Sequence, residues 1–235
     1  MKLLTRDLAN TKTAKNRSEG RFLSFILHLA PYTVSGYNTC KFASKGCAEA
    51  CLNTAGRGRL DSAKQARERK TKLFFEDRAQ FFALLLKDLQ AVERKAKKLN
   101  LKPVVRLNGT SDLPFDLIKV PGAVQTVFSL FPNIQFYDYT KDIVKARRLA
   151  LNPISNYHLT FSRSESNNEH CIEALNLGFN VAVVFSNIPA TYAGHPVTTG
   201  ESSDLRFLDP KGHIVGLVMK GKAKKDCSGF VVQAG

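Results

Sequence analysis

Apolar and polar positions change their period several times along the 235-residue chain. RFLSFILHLAPYTV, from residue 21, is a short apolar run of mixed aromatic and branched residues that closes at Pro31, which predicts a buried strand. From about Asp61 to Leu99 the spacing is helical, and LFFEDRAQFFALLLKDLQAV supplies a wide apolar stripe. Asp77 and Gln80 are spaced as a capping box, which divides this stretch into two helices. Beyond Leu101 the runs alternate. KPVVRLNGTSD, NIQFYDYTKD, NYHLTFSRSES, FNVAVVFS and HIVGLVMKG read as strands, whereas IVKARRLALN and EHCIEALNLG read as helices. PFDLIKVPGAVQTVFSLF reads as broken helix, and RFLD as a short strand or turn.

About six strands alternating with helices predict an α/β fold with a helix-covered parallel sheet. The sheet is expected to be an open doubly wound one or an open or partial (β/α) barrel. No tandem repeat or linker interrupts the pattern, so residues 1–235 are expected to form one domain with an irregular basic arm over about residues 1–20. Either arrangement places the reactive surface at the carboxyl ends of the strands. The chain puts its richest chemistry there: a cysteine loop after the first strand, then NGTSD, DYTK and SRSE after the next three.

Charge adds a partner class. The 35 Lys and Arg residues against 20 Asp and Glu give a formal charge of +15, which points to an anionic partner, with nucleic acid or a nucleotide substrate in front. Neither a signal peptide nor an apolar run long enough to cross a bilayer is apparent, so a cytoplasmic protein is expected. The spacings GxGxxG and GxxxxGK[ST] are absent, and linear spacing supports neither a nucleophile triad nor a metal-nuclease carboxylate pair.

Cys40, Cys47 and Cys51 form C-x6-C-x3-C among polar and glycine neighbours. Three thiols so close predict a metal or cluster site, with iron–sulfur favoured over zinc by the wide spacing and Cys227 as a candidate fourth ligand. Cys171, inside a helix, is expected to be core. Arg106 and Asn108 share one strand face and point into a cavity or a buried polar network. Asp138 and Lys141 either bind substrate or pair with each other. Tyr137 and Tyr139 stack on a base or fill the core, and His28 and His158 are read as structural or mouth-lining.

A first strand, a three-cysteine loop and further βα units with polar strand ends resemble the radical-SAM partial barrel. That resemblance implies a [4Fe–4S] cluster on Cys40, Cys47 and Cys51, S-adenosylmethionine chelating its open iron, and an external reductant. It also implies that Asn108, Asp112, Ser162, Ser164 and Glu165 face the cofactor, acting on a nucleic-acid or nucleotide-related substrate. The alternative is a non-catalytic iron–sulfur or zinc protein, closed by Cys227, that binds nucleic acid or a protein partner. The loop spacing is longer than the family's C-x3-C-x2-C, and Asn108–Asp112 replaces its Gly-Gly-Glu. More narrowly, RLNGTSDLPFD, FYDYTK, YHLTFSRSE and RFLDPKG resemble the bacteriophage family called gene product eighty-eight.

Overall fold

The computed structural model describes residues 1–5 and 21–233. All six expected strands are present, as β1 (Phe22–Ile26), β2 (Lys102–Arg106), β3 (Gln135–Thr140), β4 (Tyr157–Ser162), β5 (Val181–Phe185) and β8 (Ile214–Val218). Three more strands join them: β6 (Thr191–Tyr192), β7 (His195–Thr199) and β9 (Val231–Val232). Among the described residues the sheet therefore has nine strands rather than about six, in the order β1-β2-β3-β4-β5-β8-β7-β6 with β9 also on β5. The extra strands left no pattern to read, because β6 and β9 have two residues each and no residue of β7 is fully buried. All pairings are parallel except the β6–β7 hairpin. The pairing path ends at β1 and β6 without closing, so this is a mixed α/β fold on an open, mostly parallel sheet and not a closed barrel.

The helices are α1 (Lys45–Glu49), α2 (Asp61–Glu76), α3 (Arg78–Leu99), α4 (Val127–Leu130), α5 (Ile143–Leu151) and α6 (Asn168–Asn176). The long helical stretch divides at Asp77, whose carboxylate accepts the Gln80 amide at 2.9 Å and so caps α3. Asn100, in the left-handed region at φ 52°, ends that helix. The expected broken helix between β2 and β3 contracts to α4 alone, with turns before it.

Strand alternation sends every second side chain under the helices. Val105, Leu107 and Phe136 pack on Phe81, Phe82, Leu85 and Leu89 of α3. Leu159, Phe161, Val181 and Val183 pack on α5 and α6, where Cys171 is core as its helical position predicts. On the opposite face Val104 and Tyr137 meet Leu205 and Phe207. This plug includes the RFLD stretch, which forms a 3-10 turn over Arg206–Leu208. Its buried Asp204 accepts the Tyr137 hydroxyl at 2.7 Å and lies 3.6 Å from the Arg106 guanidinium.

Residues 1–5 dock on the helices. The Leu3 and Leu4 amides donate to Asp88, and the Lys70 amine donates to the Leu3 carbonyl at 2.6 Å. The rest of the expected basic arm, residues 6–20, lies outside the described residues. Among the described residues no helix is long and apolar enough to cross a membrane.

Candidate functional site

A cavity of about 220 Å3 opens at the carboxyl ends of the parallel strands. Cys40, Cys47 and Cys51 line it from one side, Lys141, Ser162 and Phe230 from the other. Each wall has a local reason for its place. The Thr39 hydroxyl donates to the Ala30 carbonyl at 2.6 Å, and the Asp112 amide donates to the Thr39 carbonyl at 2.8 Å, which fixes the chain entering Cys40. Ser44 caps α1 by accepting the Cys47 amide at 3.2 Å. β9 pairs with Val184 and Phe185 on the side of β5 that β4 occupies lower down. It thereby brings Phe230 to the cavity, where Arg163 donates to the Gly229 and Phe230 carbonyls at 2.8 and 3.1 Å.

The five residues expected around a cofactor divide into two groups. Asn108 and Asp112 line the cavity but are hydrogen-bonded to their own loop and to the end of β3. The Asn108 side chain donates to Asp138 and the Leu113 carbonyl, while its oxygen accepts Ser111 and the Leu113 amide. Both Asp112 oxygens accept the Thr140 hydroxyl, and one also accepts the Lys141 amide. Burial pushes the Asp112 carboxyl above its ordinary range even though Lys145 and these donors oppose it. Asp138 is raised to about 6, again chiefly by burial.

Ser162 lines the cavity, whereas the Ser164 amide donates to the Asn167 side chain at 2.6 Å. Glu165 grips the cysteine loop instead of a ligand. Its carboxylate accepts the Ser44 hydroxyl at 2.7 Å and the Gly46 amide at 2.8 Å. Burial opposes ionisation there, but these two donors hold the carboxyl below its usual range. Gly46 must be a glycine, since a Cβ would meet Ser228 Oγ at 2.2 Å and Glu165 Oε2 at 2.8 Å.

The thiols do not act as a set. Cys40 touches Thr39 Oγ1 and directs its sulfur to the Thr110 carbonyl at 3.8 Å. Burial raises its pKa, and burial carries Cys51 to about 11. Cys47 differs, because it lines the cavity with Lys141 and acts on the lysine's charge. Burial alone would lower the lysine, yet Cys47, with Asp112 and Cys40 behind it, raises it above its ordinary value. Lys141 therefore partners a thiol rather than Asp138, which is taken by Asn108.

The expectation of a cluster-binding function is corrected here. Among the described residues no group of three or more His, Cys, Asp or Glu side chains is arranged to hold a metal ion. The physical reason is that Cys40 is turned to Thr39 and the Thr110 carbonyl while Cys47 is engaged with Lys141. Cys227 is exposed and outside the cavity lining, so it does not complete a four-thiolate centre. The iron–sulfur enzyme and its non-catalytic iron–sulfur or zinc alternative both fall with that donor set.

Arg106 and Asn108 do border the cavity, with Arg106 packed over the Tyr139 ring at 4.4 Å. Tyr137 fills the interior, whereas Tyr139 lines the cavity. His28 is structural: burial, with Arg67 and Arg106 nearby, lowers it to about 3. Burial likewise takes His158 to about 4. Phe230 carried no recognisable sequence signal as a site neighbour, because a strand pairing across 47 positions from β5 brings it in.

No curated protein and no solved structure matches the chain. The broader resemblance to the radical-SAM barrel therefore has nothing behind it. The pattern of the family described as Gene product 88 matches residues 2–234, almost the entire sequence. The narrower resemblance is thereby borne out, and the chain belongs to the Gene product 88 family of bacteriophages.

Proposed function

We propose that the cavity binds a small anionic molecule and presents the Cys47 thiol to an electrophilic carbon of that molecule. The observation carrying this reading is that Cys47 and Lys141 line one cavity at the carboxyl ends of parallel strands, where the thiol raises the lysine above its ordinary value. Nucleophilic cysteines as a class stand beside cationic groups, and a cation also attracts an anion. Ala182, Val184, Leu217 and Phe230 add an apolar wall that would cover the uncharged part of the ligand. In the step itself the Cys47 sulfur supplies the electron pair for the new S–C bond, and the group displaced from carbon departs with its own pair. The thiol proton goes to solvent. Cys40 and Cys51, held up by burial, remain thiols.

Competitive alkylation tests this reading. The protein is treated with iodoacetate or iodoacetamide, iodide is displaced, and the modified cysteine is identified by mass spectrometry. Cys47 should label first, and Lys141→Gln should reduce the iodoacetate-to-iodoacetamide rate ratio on the order of tenfold, the worth of one opposite charge at contact distance. An unchanged ratio, or first labelling at Cys40 or Cys51, would overturn it.

A further inference from the structure

Two stretches far apart in sequence build one cationic surface at the cavity mouth. The first is the cysteine loop with its following turns, which exposes Lys41, Lys45 and Arg59. The second is the 3-10 turn Gly221–Lys225, which exposes Lys222, Lys224 and Lys225. They are joined where the Lys222 amide donates to Thr54 Oγ1 at 3.3 Å. Gly221, at φ +58°, makes this approach feasible, since a Cβ there would lie 2.9 Å from Thr54 Oγ1 and 3.1 Å from Ala55. Leu52 and Ala223, one from each stretch, line the cavity itself, so the charged surface and the pocket are continuous.

This is more than a solvated run of lysines. Cations outnumber carboxylates here: Glu49 alone stands exposed among them on α1, while Asp226 accepts Ser228 Oγ at 2.6 Å and the Val231 amide at 2.9 Å, and Glu201 pairs with Lys220 at 2.5 Å. Large apolar side chains also stand exposed among the cations, with Leu52 at 47% and Phe42 at 42% exposure, and the Lys41 amine lies 5.9 Å from the Phe42 ring. Cations that track phosphates, interleaved with apolar faces on which bases rest, are the features that bind a single strand. A duplex hides its bases and would leave Leu52 and Phe42 uncovered.

We propose that this surface binds single-stranded nucleic acid and leads the strand past the cavity mouth. The proposal stands on the charge and exposure of the rim and does not require the Cys47 chemistry.

The test is fluorescence anisotropy with labelled single-stranded RNA, single-stranded DNA and duplex DNA, titrated at several salt concentrations. The triple variant Lys222→Glu, Lys224→Glu, Lys225→Glu is compared with Lys97→Glu, Lys98→Glu on the exposed end of α3. The rim variant should lose at least about tenfold in affinity, and its salt slope should fall by about 2, near 0.7 for each lost phosphate contact. The α3 variant should lose much less. RNA binding tighter than DNA would support the proposal with a ribose contact, and equal binding would support it through shared phosphate chemistry. Equal losses in the two variants, tighter binding of duplex, or equal affinity for polyglutamate or anionic lipid vesicles would overturn it. Iodoacetate labelling of the rim variant separates the two readings, since Cys47 reactivity should survive the loss of strand binding.

Discussion

Two loops leave the same edge of the sheet, after β1 and after β2, and both are rich in polar side chains. In the β2 loop each such side chain borders the cavity too, but it is already hydrogen-bonded within the protein. Asn108 satisfies Asp138, Ser111 and Leu113, and Asp112 ties the loop to Thr140 and Lys141. In the β1 loop the thiols border the cavity, and the loop is held from outside by Glu165 and from beneath by Thr39. The difference teaches that residue type at a strand end does not separate scaffold from site. Hydrogen-bond accounting does, because a side chain whose donors and acceptors are all satisfied internally has nothing left for a ligand.

The comparison can be broken most severely at Asn108. Asn108→Ala removes buried partners from Asp138, Ser111 and Leu113 together, and chemical denaturation should show a loss of about 3 kcal/mol. A loss no larger than that of an exposed-site variant would mean that the β2 loop is not the rigid half of the pair.

A second, smaller effect is pH-dependent. His28 sits under Gly109 of the β2 loop, where a Cβ would come within 2.5 Å of its Nδ1. Its folded value of about 3 lies below the ordinary 6.5, so the unfolded chain binds the extra proton between those values. Stability from this residue is therefore full above about pH 6.5 and is lost as pH falls towards 3. Asp138, raised to about 6, works in the opposite direction over the upper part of that window. Denaturation at pH 7 and pH 5 should show that His28→Asn removes on the order of 1–2 kcal/mol of the pH dependence. An unchanged slope would refute the buried neutral imidazole.

The β1 loop should respond more mildly. Glu165→Ala removes the grip on Ser44 and Gly46 at a cost of about 1 kcal/mol. Its more telling result is hydrogen exchange, with faster exchange confined to α1 and its flanks while β2 and β3 stay protected. Uniformly faster exchange would show that the two loops are one cooperative unit.

Much of the fold was legible because its determinants are local. Period-2 runs, the Asp77 cap and the glycine after EHCIEALNL are written in neighbouring residues, and they located six strands and the division between α2 and α3. The parallel arrangement followed from their alternation. The hairpin and β9 were missed because short strands bury too little to leave a pattern. The cysteine loop was correctly placed at the strand ends, yet its three thiols were read as one ligand set when Cys40 turns to Thr39 and Cys47 to Lys141.

The sequence by itself determined that this chain is a basic α/β protein with its polar chemistry at the carboxyl ends of parallel strands. Hydrophobic period and net charge are sums over nearby residues, and no distant contact can change them. Only the tertiary structure decided that Asn108 and Asp112 are scaffold, that Glu165 clasps residues about 120 positions away, and that Lys141 meets Cys47. Such partnerships depend on which groups the folded chain brings within hydrogen-bond reach, and residue spacing carries no record of that distance.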